Sequence, residues 1–233
     1  LVLLDSTPFY GESGGQVGDR GVLKNKSASF EVDDTQKQND VMVHRGILRQ
    51  GSIKVGDKVD AKVAGADRAA ITLNHSATHL MNAALRNVLG EHIIQKGSLV
   101  DADRLRFDFS HNSPLSEEEL RQVEAQVNAE ILKNSAVNKE VMPIAEAREK
   151  GALALFGEKY GDDVRVITMA YGEGGAYSVE FCGGTHVRRT GDIGLFKLTA
   201  ESGISAGVRR IEAVTGFGAL AVVAQEEQTL KQI

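Results

Sequence analysis

The spacing of apolar and polar residues separates a strand-rich beginning from a remainder that also contains helices. In residues 1–66, short strand-like segments alternate with turns rich in Gly, Asp and Asn. Lys58–Val63, for example, alternates polar and apolar residues, as a half-buried strand does. Strands separated by a turn about every 8–12 residues are typical of a small barrel or sandwich. We therefore expect a barrel-like, β-rich subdomain here.

Two long helices are predicted after this region. The first should begin near Asp67 and end at Gly90, because apolar residues recur between them at helical spacing. This apolar stripe consists of Leu73, Ala77, Leu80, Ala84 and Val88. The second helix should open at Ser116, because Glu119 lies three residues later and completes a capping-box pattern.

Further strands are predicted between and after these helices. One contains Leu105, Phe107 and Phe109, which alternate with polar residues. The later ones are Val164–Met169, Tyr177–Phe181 and Ile193–Leu198. A mixed order of strands and helices, without regular βαβ repetition, predicts an α+β fold.

We expect three parts in this α+β chain. The barrel-like, β-rich subdomain occupies 1–66. The core, an α/β sandwich with an antiparallel or mixed sheet and the two long helices, occupies 67–216. A C-terminal helix occupies 217–233. The chain starts at Leu1 and stops in a helix-forming stretch, so we expect a segment of a longer protein; a processed, complete small protein is the alternative.

Composition excludes several classes of protein. The 233 residues are 42% hydrophobic and 25% charged, an ordinary globular balance rather than that of a disordered chain. No apolar run reaches the roughly 20 residues that cross a membrane, so we expect no membrane contact. One Cys cannot form an internal disulfide, which favours a reducing, cytoplasmic location. A net charge of −5 disfavours nonspecific gripping of nucleic acid.

Two pairs of residues suggest a metal site. His75 and His79 lie at i and i+4, so on a helix they share one face, directed away from the apolar stripe. Cys182 and His186 flank Gly183–Gly184, a hinge that would let both side chains converge. Three imidazoles and one thiolate would form a tetrahedral zinc site. Solvated histidines and a buried hydrophobic Cys are the alternatives.

Other chemistry for these residues is less favoured. A zinc peptidase of the H-E-x-x-H type needs Glu directly after the first His, where this chain has Ser76. A nucleophilic dyad of Cys182 with His186 lacks an evident orienting acid. Four protein ligands would close a zinc site, and a closed site is by default structural.

Basic residues near these segments are candidates for contact with nucleic acid. They are Lys96, Arg188, Arg189, Arg209 and Arg210. Such residues more often form solvated surfaces, but their closeness in sequence to the metal motifs favours a role in binding RNA.

Seven motifs in the same order give the chain a family resemblance. They are Asp5–Tyr10, Gly14–Gln16, His75–Leu80, Gln95–Ser98, Cys182–His186, Gly191–Gly194 and Arg209–Glu212. Together they resemble the editing domain of bacterial alanyl-tRNA synthetase over essentially the whole chain. Free-standing alanyl-tRNA editing proteins are similar, and the editing domain of threonyl-tRNA synthetase resembles the later half.

The resemblance implies hydrolysis of the ester that joins serine or glycine to the 3′ end of alanine tRNA, with other domains of the parent synthetase as partners. It implies that Thr7 recognises the serine hydroxyl and that Gln95 lies in the pocket. Backbone N–H groups of Gly183 and Gly184 could stabilise the charge that develops on the ester. A non-catalytic tRNA-binding module with a structural zinc, a free-standing editing protein and a broad hydrolase of small esters remain alternatives.

Overall fold

The computed structural model describes residues 1–39, 41–154, 161–172 and 175–232, which fold into two compact units. The units are Leu1–Ala69 and Ala70–Ile233. Four α-helices and twelve strands occur within the described residues, and the strands form antiparallel sheets. The predicted α+β class is confirmed. The division into 1–66, 67–216 and 217–233 stays a prediction.

The first unit is built around one five-stranded sheet that forms a half-barrel. Its strands are β1 (Val2–Leu3), β2 (Gly21–Lys24), β3 (Ser29–Gln38), β4 (Val41–Gln50) and β5 (Asp60–Val63). They lie in the order β1-β4-β3-β2-β5. Phe9, Leu23, Phe30 and Val32 form the buried core against this sheet. Alternating residues of β3 face the core, which is the pattern that a half-buried strand requires.

The second unit contains two antiparallel sheets and most of the helical residues. The first sheet, in the order β11-β12-β7-β6, has the strands β6 (Gln95–Val100), β7 (Leu105–Ser110), β11 (Phe196–Ser205) and β12 (Val208–Thr215). The second, in the order β10-β9-β8, has the strands β8 (Val137–Pro143), β9 (Asp163–Gly172) and β10 (Gly175–Phe181). The helices are α1 (Gly65–Leu89), α2 (Glu117–Leu132), α3 (Ile144–Glu149) and α4 (Gly216–Leu230).

Helix α1 is more deeply buried than its apolar stripe predicts. Every residue from 74 to 85 is buried, including the polar ones. Polar contacts with the rest of the second unit explain this: Asn74 donates to the carbonyl of Asp101 and accepts from the hydroxyl of Thr215, while His79 reaches Glu180 on β10. Buried polar groups need such partners. The helix ends at Leu89, and Gly90 follows with a φ of 114°.

The predicted start of α2 is confirmed. Ser116 accepts from the backbone N–H of Glu119, and the Glu119 side chain accepts from the backbone N–H of Ser116. These two bonds satisfy donors that the first helical turn would otherwise leave unpaired. Val123, Val127 and Ile131 are buried along one face, as the periodicity indicates.

Elsewhere the local pattern was misleading. The predicted strand Ile193–Leu198 is wrong at its start, because residues Thr190–Ile193 form a 3₁₀ helix and Gly194 has a φ of 74°. A positive φ interrupts an extended strand, so β11 begins at Phe196. Strand β8 and helix α3 were not predicted. No helix in the described part of the chain is long and apolar enough to span a membrane.

We expect the capping box of α2 to contribute measurably to stability. Ser116→Ala removes the side-chain oxygen that caps the helix, so the free energy of unfolding should fall by about 1 kcal/mol in urea denaturation. Ser113→Ala is the matched control, because Ser113 contacts His111 but caps no helix. Its change should stay within about 0.5 kcal/mol. Equal losses in both variants would contradict the prediction.

Candidate metal centre

The two predicted pairs of ligands meet in the second unit. His75 and His79 lie on successive turns of α1, Cys182 directly follows β10, and His186 lies four residues beyond it. All four side chains are buried, and their ligand atoms all lie within 4.8 Å of one another. We call His75, His79, Cys182 and His186 the metal cluster. Histidines that pointed away from the apolar stripe therefore face this cluster rather than solvent.

The geometry of the metal cluster fits a tetrahedral ion. The Sγ atom of Cys182 lies 3.4 Å from Nε2 of His75 and 3.2 Å from Nε2 of His186. A tetrahedral zinc with ordinary bond lengths separates its nitrogen and sulfur ligands by roughly 3.5 Å. Nε2 of His79 is buried and has no hydrogen-bond partner among the described residues. A buried polar nitrogen without a partner is costly, and a metal ion would satisfy it.

The carboxylate of Glu180 holds His79 in position. Its Oε2 lies 2.8 Å from Nδ1 of His79, and its Oε1 accepts from Nδ2 of Asn82 at 3.0 Å. A bond at Nδ1 leaves Nε2 directed into the metal cluster. Carboxylate–histidine pairs of this kind orient metal ligands and make them more basic. Glu180 is buried, so its charge acts at short range with little screening by water.

Ser76 orients a second ligand. Its hydroxyl donates to the carbonyl of Thr72 at 2.9 Å and accepts from the backbone N–H of Val187 at 3.1 Å. Because the hydroxyl proton of Ser76 is already donated to Thr72, Nδ1 of His186 is the donor in its 3.4 Å contact with this hydroxyl. His186 then carries its proton on Nδ1 and presents the lone pair of Nε2 to the cluster. The residue that excludes peptidase chemistry therefore supports the metal ligand.

The electrostatics of the cluster favour the protonation states that a metal needs at Cys182 and His186, whereas His79 must lose a proton when an ion binds. Burial lowers the pKa of His79, but Glu180 and Cys182 outweigh it and raise that pKa to about 10. Burial raises the pKa of Cys182, but His75 and His79 bring it well below its ordinary value. Burial holds the pKa of His186 well below its ordinary value. A thiolate beside a neutral imidazole is what a divalent ion binds.

The loop between Cys182 and His186 is supported by cationic side chains. Arg165 donates to the carbonyls of Gly183 and Gly184 at 3.0 and 2.8 Å, and Lys139 donates to the carbonyl of His186 at 2.8 Å. The N–H of Gly184 donates to Sγ of Cys182 at 3.4 Å. Because that N–H is already engaged, the predicted role in stabilising ester charge suits Gly183, which is exposed, better than Gly184.

Gln95 lines a small cavity together with Glu180, the hydrogen-bond partner of His79. It is the first residue of β6 and is half-buried. The cavity has a volume of about 100 Å³, and Asn82, Arg86 and Glu180 are among its lining residues. A larger cleft of about 650 Å³ is also lined by Arg86 and Glu180. Gln95 therefore lies near Asn82 and Glu180, the polar residues that hold His79 in position.

Thr7 belongs to the first unit. Its hydroxyl lies 2.8 Å from Nε2 of His44 and accepts from the backbone N–H of Phe9. His44 is buried, its Nδ1 contacts the carbonyl of Val2, and burial lowers its pKa. Recognition of a serine hydroxyl by Thr7 stays a prediction.

The candidate RNA-binding cations differ in their surroundings. Arg209 makes a two-point ion pair with Glu201, and Arg210 makes one with Asp108. Arg189 donates to the side chain and the carbonyl of Asn134. Arg188 and Lys96 are exposed. Contact of these five residues with RNA stays a prediction, but ion pairing makes Arg209 and Arg210 weaker candidates.

Sequence reasoning did not identify the supporting residues as functional. Glu180 precedes Cys182 by two positions, so strand alternation puts both on one face, and that was the available signal. Ser76 lies inside the first histidine pair. No sequence pattern identified Lys139 and Arg165 as functional, because their partners are backbone carbonyls that only the folded chain brings near.

The sequence is similar to tRNA synthetases in two separate regions. Residues 1–66 match the family model of class II (A) tRNA synthetases, and residues 164–212 match the second additional domain of threonyl and alanyl tRNA synthetases. Alanine--tRNA ligase of Saccharophagus degradans is 59% identical over 230 residues, covering 99% of this chain. The enzymes of Shewanella loihica and Albidiferax ferrireducens are 57% and 58% identical, covering all of it.

The predicted resemblance to alanyl-tRNA synthetase is confirmed. Each alignment covers 26% of the relative, so this chain spans about a quarter of the length of the curated relatives it matches. The second-additional-domain match contains Arg165, Glu180, Cys182 and His186, whereas His75 and His79 lie outside both matched regions. The metal cluster therefore joins the region matched by the second-additional-domain model to a part of α1 that neither family model covers.

We expect Glu180 to set the metal affinity of the cluster. Glu180→Gln removes the charge that orients His79 and makes it more basic, so zinc affinity should fall about 10- to 100-fold in a chelator competition titration. Glu140→Gln is the matched control, because Glu140 is exposed and pairs with Lys150. Equal zinc affinity of Glu180→Gln and the unmodified chain would contradict the prediction, provided that circular dichroism shows both folded.

Proposed function

We propose that this chain is a hydrolytic editing domain that cleaves serine and glycine from mischarged alanine tRNA. The convergence of three histidines and one cysteine in the metal cluster carries the proposal, because these ligands belong to a chain that matches alanine--tRNA ligases over its length. The match to a domain found in threonyl and alanyl synthetases supports an editing-related role. Under this proposal, the partners of the chain are mischarged alanine tRNA and the remaining synthetase domains, and the chain acts in the cytoplasm.

The need for such an activity follows from the limits of binding selectivity. A pocket made for alanine cannot strongly reject glycine, which is smaller by one methyl group, and a serine hydroxyl is also hard to exclude. A second site that hydrolyses the wrong esters supplies the missing discrimination. Such a site needs a group that recognises the serine hydroxyl, and the family resemblance suggests Thr7 for this.

In the proposed reaction, a water molecule attacks the carbonyl carbon of the ester between amino acid and ribose. A new C–O bond forms, the bond to the ribose oxygen breaks, and a proton from water ends on that oxygen. Zinc, when bound by the metal cluster, would supply a positive charge that polarises the ester or holds the substrate in place. The N–H of Gly183 would donate to the developing oxyanion, and Gln95 would orient the amino acid.

A non-catalytic RNA-binding module is the competing function. Four protein ligands make a closed site, which favours a structural zinc. Both functions use the metal cluster, but hydrolysis alone releases free serine. Release of serine from Ser-tRNA above the buffer rate therefore supports editing, whereas tight binding without release supports the competing function.

We expect loss of cluster ligands to reduce both bound zinc and hydrolysis of Ser-tRNA. Cys182→Ala and His79→Ala should each bind less than the one zinc per chain expected of the unmodified chain, and each should lower kcat/KM for deacylation by at least about 100-fold. His111→Ala is the control, because His111 is partly exposed and pairs with His92 outside the cluster. Full activity in a metal-free variant would remove zinc from the mechanism.

We expect Thr7 to discriminate between serine and glycine substrates. Thr7→Val keeps the size of the side chain but removes its hydroxyl, so kcat/KM for Ser-tRNA should fall about 10-fold or more relative to that for Gly-tRNA. The ratio of the two rates is the readout, because loss of the bond to His44 affects both substrates alike. An unchanged ratio would exclude Thr7 from recognition of the hydroxyl.

A further inference from the structure

Three cationic residues lie at or directly beside the loop that carries two of the metal ligands. Arg165 on β9 donates to the carbonyls of Gly183 and Gly184, and Lys139 on β8 donates to the carbonyl of His186. Arg188 follows this loop, and its carbonyl accepts from the N–H of Val137, two residues before Lys139. Burial and repulsion from both arginines lower the pKa of Lys139, as expected for three neighbouring cations.

These cations lack the carboxylate partners that neutralise other basic residues. Within residues 1–39, 41–154, 161–172 and 175–232, the side chains of Lys139, Arg165 and Arg188 form no ion pair. Arg209 and Arg210, in contrast, are each held by a carboxylate in two-point contact. The carboxylate of Asp192 accepts from the backbone N–H of Arg188 rather than from its side chain.

We propose that Lys139, Arg165 and Arg188 form a phosphate-binding patch for the 3′ end of the RNA substrate. This inference rests on the proposed editing function and names the residues that hold the substrate's backbone. Lys139 and Arg188 are exposed and Arg165 is partly exposed, so an anion can reach them. Cations without carboxylate partners attract phosphate at this place, although the chain as a whole has a net charge of −5.

The position of the patch matches the covalent structure of an aminoacylated RNA end. The ester that reacts and the nearest phosphodiester are attached to the same ribose. An ester at the metal cluster therefore brings its phosphate to within one ribose of the loop from Cys182 to His186. The patch lies against the carbonyls of that same loop. Lys and Arg are the side chains that bind phosphate most strongly in proteins.

The patch can be tested by comparing two substrates and two kinds of variant. The substrates are Ser-tRNA and the 3′-seryl ester of adenosine, which lacks phosphate. The patch variants are Lys139→Gln and Arg188→Gln. Arg121→Gln is the control, because Arg121 is exposed and pairs with Glu117 and Glu118 on α2. We expect each patch variant to raise KM for Ser-tRNA about 3- to 10-fold more than it raises KM for seryl-adenosine, because only Ser-tRNA carries the phosphate.

Binding of an uncharged RNA acceptor hairpin with an unpaired 3′ end tests the patch independently of catalysis. Each patch variant should weaken binding at low salt and reduce the slope of log affinity against log salt by about 0.7. Equal losses on both substrates would mean that the cations only support the loop, and would overturn the proposal. So would unchanged binding, or the same loss in Arg121→Gln. If the unmodified chain hydrolyses neither substrate, editing fails, and the hairpin titration still decides the patch.

Discussion

The second unit depends on the convergence of four buried metal-ligand side chains on one point. Such a cluster is unfavourable without compensation, because nitrogen and sulfur atoms removed from water need partners. Glu180 and Ser76 provide partners on the outer side of His79 and His186, and their effect is to direct both Nε2 atoms inward. A cation at the centre would complete the arrangement. The middle of α1 and the end of β10 are therefore joined by polar interactions.

This constraint explains why α1 is buried around its whole circumference. An amphipathic helix normally exposes its polar face, but here that face carries His75, His79 and Asn82, which bind to the loop and to β10. The cost of burying so many polar groups is offset because each has a specific partner. The same requirement restricts how α1 can rotate, since a shift of one residue would separate the histidines from Cys182.

Local rules predicted what depends on neighbouring residues and missed what depends on distant ones. The capping box at Ser116 and the face shared by Glu180 and Cys182 can be read from short stretches, and the ligand set from the chemistry of two motifs. Strand β8 was missed because Val137–Pro143 has no alternating pattern: Val137 and Met142, an odd number of positions apart, are its buried residues. Its position is fixed by pairing with β9, which the sequence does not display.

The basic residues show the same difference between what neighbouring residues predict and what the fold determines, and this difference affects phosphate binding. By sequence alone, Arg209–Arg210 and Arg188–Arg189 are equivalent basic pairs, yet β12 places Arg210 opposite Asp108 on β7 and Arg209 beside Glu201 on β11. Neutralised arginines stabilise the sheet and contribute little attraction to a polyanion. Cations that contact only backbone carbonyls are not neutralised by a partner of opposite charge, because a carbonyl is a dipole rather than an anion. A chain with excess acidic residues can therefore attract phosphate locally, where cations without carboxylate partners lie beside the loop that carries Cys182 and His186.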